Sequence, residues 1–243
     1  MSTATDSGRA SRGGGRIALI HATRLSMAPI EAAFAERWPE GEYFHLLEES
    51  LSADRLRPPA HAAASFADRF IALSRYAAMV GAAGILYTCS AFGAEIDGAK
   101  RAVALPTLKP NEAMLDEALA IGARVGLVAT FEPSLASIAD ELRDTAAARG
   151  IAVDVVPVFV PGAMDALAAG DAAAHDRAIA GAARTLRAVD VVLLAQFSMA
   201  RARREVGHAL AVPVLTSPES AVEAMRRTMA GGATSPRSSR KAS

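Results

Sequence analysis

The chain has 243 residues, of which 51% are hydrophobic and 21% charged, a balance typical of a folded globular protein. Its 26 basic and 26 acidic residues cancel, which argues against nucleic acid or an anionic membrane as a partner. The sequence has no apolar run long enough to span a bilayer, no secretory signal and no cysteine pair, so a cytoplasmic location is predicted.

Short apolar, branched segments alternate along the chain with longer alanine-rich segments that fit amphipathic helices. The predicted strands are Ile17–His21, Tyr43–Leu47, Gly84–Thr88, Ala102–Leu105, Val125–Thr130, Val153–Val158, Val191–Ala195 and Val212–Leu215. The predicted helices are Ala28–Arg37, Ala62–Gly81, Asn111–Ile121, Ser134–Arg149, Ala172–Ala188, Met199–Ala209 and Pro218–Met229. Apolar strands separated by helices are typical of parallel sheets that are covered on both faces.

The second half of the chain repeats the spacing of the first. His21 ends the first strand and Cys89 follows the third strand, 68 residues later. Thr130 ends the fifth strand and Gln196 follows the seventh strand, 66 residues later. This repetition predicts an α/β fold with two pseudo-symmetric domains, each a parallel sheet flanked by helices, and an active site in the cleft between them.

The domain boundaries follow from this repetition. Residues 16–106 are predicted to form the first domain, and residues 107–216 the second. The polar segments 1–15 and 231–243 are predicted to be disordered tails, because they offer little apolar surface to bury.

Cys89 is the only cysteine of the chain, and it directly follows a predicted strand. It is therefore either a buried core residue or a chemically active thiol, because it has no partner for a disulfide within the chain. The carboxyl end of a strand is where open α/β sheets bind ligands, and a helix that begins just after it favours the thiolate. Neither metal-ligand spacing nor a glycine-rich nucleotide motif is found, so no metal or other cofactor is predicted.

Four segments resemble the aspartate/glutamate/hydantoin racemase superfamily, which also includes arylmalonate decarboxylases and maleate isomerases. They are Leu86-Tyr-Thr-Cys-Ser, Gly126-Leu-Val-Ala-Thr-Phe-Glu-Pro-Ser, Asp190-Val-Val-Leu-Leu-Ala-Gln-Phe-Ser-Met and Val212-Pro-Val-Leu-Thr-Ser-Pro-Glu-Ser-Ala-Val. The resemblance runs over about residues 16–229. It implies two α/β domains, with the last helix (residues 217–230) returning to the first domain, residues 16–106. It also implies cofactor-independent chemistry in the cleft between the domains, with proton transfer at the carbon alpha to a carboxylate.

The chain departs from that family at one of two mirrored positions. Racemases that it resembles have a cysteine in each half, whereas this chain has Cys89 in the first half and Gln196 in the second. A glutamine amide has no group that titrates near neutral pH, so racemisation by two thiols is not expected. Two versions stay open: racemisation with a partner such as His21, and one-sided decarboxylation or isomerisation as in arylmalonate decarboxylases, whose single thiol lies in the other half.

The resemblance and the strand ends together predict how a substrate is held. The backbone N–H groups of Ser90 and Ala91 are candidates for binding a carboxylate, although Ser90 is also placed to cap a helix. The remaining candidates are the hydroxyl groups of Thr130, Ser134 and Ser198 and the amide of Gln196, a donor to developing enolate charge.

These observations predict an isomerase or lyase that acts on a small carboxylate, with Cys89 and His21 as candidate catalytic residues. A different class stays open, a carboxylate-binding protein that keeps the cleft without catalysis, and so does assembly with further copies of the chain. Phe92, Phe131 and Phe197 follow strand ends and favour a substrate with a hydrophobic group.

Overall fold

The computed structural model describes residues 15–57 and 64–232. The strands in this part of the chain are β1 (Ile17–His21), β2 (Tyr43–Leu47), β3 (Gly84–Tyr87), β4 (Thr107–Leu108), β5 (Arg124–Ala129), β6 (Asp154–Phe159), β7 (Val191–Leu194) and β8 (Val214–Thr216). The helices are α1 (Met27–Arg37), α2 (Ser50–Leu56), α3 (Phe66–Met79), α4 (Gly93–Ala102), α5 (Glu112–Ile121), α6 (Glu132–Ala148), α7 (Ala163–Ala168), α8 (Ala172–Ala183), α9 (Arg203–Ala209) and α10 (Ser217–Gly232). Each of α1, α4 and α9 is preceded by a 3₁₀ turn: Arg24–Ser26, Ser90–Phe92 and Phe197–Ala202.

The strands form two four-stranded sheets with equivalent strand orders, β2-β1-β3-β4 and β6-β5-β7-β8. Every pairing in both sheets is parallel. The backbone continues the similarity past the strands, because the N–H of Thr88 donates to Ile20 O and the N–H of Ala195 donates to Val128 O. The predicted α/β fold with two similar halves is confirmed.

Helices cover both faces of each sheet, as the apolar strands predict. In β1, Ala18 and Ile20 face a core shared with α3 and α4, while Ile17 and Leu19 face a core shared with α1 and α10. The second sheet likewise has one core on each face. Because successive strand residues point to opposite faces, strands β1, β3 and β7 are buried along their whole length, and only their ends are free to serve a site.

Helix α10 follows the last strand of the second sheet and returns to the first. Its Ala221, Val222 and Met225 are buried in the core on the α1 side of the first sheet. At its start the Ser217 hydroxyl donates to Asn111 Oδ1 over 2.8 Å, a buried contact beside the other crossover between the halves. The division of the chain into domains stays a prediction.

The fourth predicted strand, Ala102–Leu105, is wrong. Ala102 ends α4, and the strand that pairs with β3 is Thr107–Leu108, so the first sheet extends two residues past the predicted boundary at residue 106. Val103 and Leu105 do pack against the core, but from a loop. Pro106 has no N–H to donate to a sheet, and its carbonyl accepts from Ile85 N. A prediction from apolar content alone therefore put the strand at 102–105 and not at 107–108.

Three helices were not predicted: α2, α4 and α7. Two glycines lie within α4, and α7 begins after Pro161 and Gly162, so turn-forming residues obscured both helices. Helix α10 continues to Gly232, two residues into the predicted tail. Residues 1–14, 233–243 and the predicted helical residues 62–63 lie outside the described residues. Among the described residues, no helix combines the length and the apolar character that crossing a membrane requires.

Candidate active site

A cavity of about 560 Å³ lies between the two halves, where the carboxyl ends of both sheets meet. The first half contributes the turn after β1, helix α2 and the turn after β3, and the second half contributes the starts of α6 and α7 and the turn after β7. Six of the predicted site residues line it: Cys89, Ser90, Ala91, Ser134, Gln196 and Ser198. The other two, His21 and Thr130, are buried and do not line it.

Cys89 and Gln196 occupy equivalent places in the two halves. Each continues a strand in an extended conformation, with φ of −122° at Cys89 and −132° at Gln196. A 3₁₀ turn follows each residue, so both side chains face the cleft from the end of a central strand. Ser90 lies inside its turn and caps nothing, because Cys89 is the residue that precedes the turn.

The free Cys89 thiol holds its proton. Burial raises the pKa of the thiol above its usual value, and the backbone N–H of Ala91 and the charge of Arg55 only partly oppose that change. The expected tendency toward thiolate is therefore wrong for the free protein. Helix α4 begins only at Gly93, after the 3₁₀ turn, so its positive end is not applied directly at the sulfur.

Gln196 is held by Thr130, and this contact explains why Thr130 does not reach the cleft. The backbone N–H of Thr130 donates to Gln196 Oε1 over 2.7 Å, and the Thr130 hydroxyl donates to the same oxygen over 2.9 Å. A backbone N–H can only donate, so the amide oxygen must face Thr130. The amide N–H₂ is then the part of Gln196 that remains for a ligand.

His21 does not act from the wall of the cleft. Its side chain has 0% exposure, and burial first and His45 second lower the pKa of its imidazole to about 4. It is therefore neutral near neutral pH. One ring nitrogen is in contact with the hydroxyls of Ser26 and Thr88, and these two residues do line the cleft.

The cleft contains one charged residue that sequence reasoning missed, Arg55 of α2. Its guanidinium lies 5.1 Å from the ring centre of Phe92 and 5.5 Å from that of Phe66, and Nη1 donates to Glu95 Oε1 over 3.0 Å. Stacking on the rings and pairing with Glu95 hold the cation in place. The signal was its position after β2, because the carboxyl end of that strand lies at the same sheet edge as Cys89.

The remaining wall is largely apolar. Phe92, Phe131 and Phe197 all line the cleft, as the sequence suggested, and Leu25 and Met164 join them. Leu25 is 47% exposed and Phe131 is 39% exposed, so each half leaves one large apolar side chain uncovered at the cleft. Such exposure is typical of a surface that a ligand covers.

No cluster of three or more histidine, cysteine, aspartate or glutamate side chains suited to a metal ion occurs within residues 15–57 and 64–232.

A family model described as Asp/Glu/Hydantoin racemase matches residues 20–225, nearly the whole described chain. The chain belongs to this family. A search of curated proteins found none that matches.

Solved structures show the same fold at low sequence identity. The glutamate racemase RacE1 of Bacillus anthracis aligns with a TM-score of 0.66 at 11% identity, covering 90% of this chain and 82% of that one. An arylmalonate decarboxylase aligns with a TM-score of 0.62 at 19% identity, covering 92% and 96%. The allantoin racemase of Klebsiella pneumoniae aligns with a TM-score of 0.60 at 18% identity, covering 90% and 89%.

Proposed function

We propose that this protein is a cofactor-independent isomerase or lyase that transfers a proton at the carbon alpha to a carboxylate of a small acid. The observation that carries the proposal is the pair of equivalent strand ends, with a thiol at Cys89 and an amide at Gln196. A thiol that holds its proton serves as an acid, so Cys89 delivers a proton to one face of an enolate. The Sγ–H bond breaks, and the proton joins the electron pair on carbon.

The rest of the cleft is suited to holding such an enolate. The Gln196 N–H₂ group, whose orientation Thr130 fixes, donates to the oxygen on which negative charge develops. Ser134 and Ser198 supply hydroxyls, the backbone N–H of Ser90 is a further donor, and Arg55 attracts the substrate anion. The Ala91 N–H already faces the sulfur, where it stabilises the thiolate that remains after proton delivery.

The apolar part of the wall indicates the kind of acid. Phe92, Phe131 and Phe197 contact the space beside Cys89, and Arg55 is the one charged side chain among the described residues that line the cleft. A small acid with a hydrophobic substituent fits this wall better than a second carboxylate, since burying an unpaired charge is costly. Racemisation with His21 as the second base is not favoured, because His21 lies outside the cleft.

The test is hydrogen exchange in deuterium oxide with phenylmalonate, 2-phenylpropionate, glutamate and allantoin as probes. We expect the wild type to incorporate deuterium at the alpha carbon of a probe with an apolar group. The Cys89→Ser variant should be slower by about 10²-fold or more. Equal rates in the two proteins would contradict the proposal.

A second candidate function is carboxylate binding without catalysis. The raised pKa of Cys89 favours it, because a thiol that stays protonated can line the cleft without giving a proton to the ligand. The same probes decide between the two functions. A binding protein is stabilised against heat by its ligand in both the wild type and Cys89→Ser, through mass action, and neither protein exchanges deuterium.

A further inference from the structure

A chain of close polar contacts connects the surface of α1 with the wall of the cleft. Glu31 Oε1 lies 3.2 Å from His45 Nε2, and His45 Nδ1 lies 2.9 Å from His21 Nε2. On its other side, His21 Nδ1 lies 2.8 Å from Thr88 Oγ1 and 3.0 Å from Ser26 Oγ. Glu31 is 46% exposed, whereas Ser26 and Thr88 are 2% and 3% exposed and line the cleft.

The carboxylate at the outer end of this chain decides which nitrogen of each ring carries the proton. An ionised Glu31 can only accept, so His45 must donate from Nε2 and accept at Nδ1. His21 then donates from Nε2 to His45 and accepts at Nδ1 from a hydroxyl. The Ser26 hydroxyl donates to Thr23 O over 2.9 Å, whereas Thr88 Oγ1 lies 3.3 Å from Ile20 O and 2.8 Å from His21 Nδ1. The Thr88 hydroxyl is therefore the donor to His21.

The second half shows that the fold does not need this arrangement. The residue of β5 equivalent to His21 is Ala129, which has no titrating group, and the next residue, Thr130, donates to Gln196. In the first half, two imidazole rings lie 5.0 Å apart and stacked, with His21 fully buried. Burying such polar rings costs free energy unless every nitrogen has a partner, and here each nitrogen has one.

We propose that Glu31, His45 and His21 form a proton relay that connects bulk solvent with the hydroxyls of Thr88 and Ser26, the second proton-transfer group of the cleft. The proposal rests on the proposed function for its substrate. The hydroxyl pair accepts a proton from the substrate, and the Cys89 thiol donates one. Glu31, His45 and His21 are positioning residues, because none of them touches the substrate.

Each group in the relay gains one proton and loses one, and no step is an oxidation or a reduction. The hydroxyl oxygen of Thr88 takes a proton from the substrate while its own proton passes to His21 Nδ1. The Nε2 proton of His21 passes to His45 Nδ1, and the Nε2 proton of His45 passes to the Glu31 carboxylate and then to water. The Cys89 thiolate regains its proton from water in the open cleft.

Two measurements test the relay, and the first needs no substrate. Nitrogen-15 NMR of the wild-type imidazoles at neutral pH should show a proton on Nε2 of both rings and none on His21 Nδ1. A proton on His21 Nδ1 would overturn the relay, because a protonated ring nitrogen has no lone pair and cannot accept from a hydroxyl.

The second measurement is kinetic, on whichever probe shows Cys89-dependent exchange. We expect Glu31→Gln to lower kcat by about tenfold with KM unchanged, since an amide cannot take the proton. His45→Gln should behave alike. Glu36→Gln is the matched control, because Glu36 lies on the same helix and forms its ion pair with its neighbour Arg37, away from His45. The rate is also measured against the deuterium fraction of the solvent. The plot should be curved in the wild type and in Glu36→Gln, which indicates several protons in transfer, and closer to linear in Glu31→Gln.

The outcomes separate the two proposals. Unchanged kcat in Glu31→Gln, together with loss of exchange in Cys89→Ser, overturns the relay alone. Exchange that survives Cys89→Ser overturns the proposed function, and the NMR tautomers then still decide the relay. Glu31 is on the surface, so its variant tests the relay even if His45→Gln does not fold.

Discussion

The two halves of this protein have the same strand order and similar backbone at their strand ends, but the side chains there differ: those of one half titrate and those of the other do not. In the first half, the groups at the ends of β1 and β3 titrate: His21, backed by His45, and Cys89. In the second half, Ala129 takes the place of His21 and Gln196 takes the place of Cys89, and Gln196 forms a neutral contact with Thr130.

The difference teaches that the duplicated fold supplies positions and that the side chains at those positions supply the reaction. A backbone that presents a thiol from both sides of a cleft is suited to moving a proton between two faces of a carbon. With one thiol replaced by an amide, the same backbone is suited to proton transfer at one face and to charge stabilisation at the other.

The largest effect is expected from Gln196→Cys, which restores a thiol to the second half. Production of the enantiomer that the wild type forms slowly should rise by about 10²-fold, because a second acid or base now faces the opposite side of the carbon. Chiral chromatography of the product measures it. Gln196→Ser is the control that removes the amide without adding a thiol, and equal behaviour of the two variants would count against the mirrored geometry.

The second effect concerns the buried imidazole of the first half. The pKa of His21 is about 4 in the folded protein and 6.5 in the unfolded chain. As pH falls through this interval, the unfolded chain binds a proton that the folded protein does not, so stability is lost on acidification. The free energy of unfolding should fall by about 3 kcal/mol more in the wild type than in His21→Asn between neutral pH and the lower pKa. Parallel curves for the two proteins, measured by urea unfolding, would contradict it.

The third effect concerns the neutral contact of the second half. Gln196→Leu leaves the N–H of Thr130, a residue with 4% exposure, without its acceptor. The variant should lose about 2 kcal/mol of unfolding free energy, and Thr130→Val, which removes only the hydroxyl, about 1 kcal/mol. Gln196→Glu keeps the acceptor and should be more stable than Gln196→Leu; the opposite order in urea unfolding would show that Thr130 does not depend on Gln196.

The smallest effect is expected at the thiol. Arg55→Gln removes a positive charge that lowers the pKa of the Cys89 thiol, so the pKa should rise further. Alkylation by iodoacetamide, which needs the thiolate, should then slow by about threefold at mildly alkaline pH. Cys89 is the only cysteine of the chain, so mass spectrometry of the intact protein reads this rate directly. Arg57→Gln, in the same segment but not lining the cleft, should alkylate like the wild type.

The fold was largely predictable because both sheets are built from strands that are apolar on both faces. The β1 and β2 bounds agree with the prediction, and the duplicated spacing correctly paired Cys89 with Gln196. The short strand β4 was misplaced, because its pairing depends on Pro106 and on β3 rather than on its own residues.

The site was predictable in its strand-end positions and not in its contacts. Sequence position correctly brought Ser134 and Ser198 to the cleft, since both follow strands of one sheet. It could not show that Thr130 turns toward Gln196, or that His45 on the neighbouring strand is the partner of His21. These contacts depend on side-chain packing between strands that are distant in sequence.

The most direct test of one-sided proton transfer is the stereochemistry of deuterium incorporation by the wild type, followed from the first turnovers on a probe that requires Cys89. We expect label at one face of the alpha carbon and product of a single handedness. Label that enters both faces at equal initial rates would contradict it, because it would require a second acid or base opposite Cys89 in the half that holds Gln196.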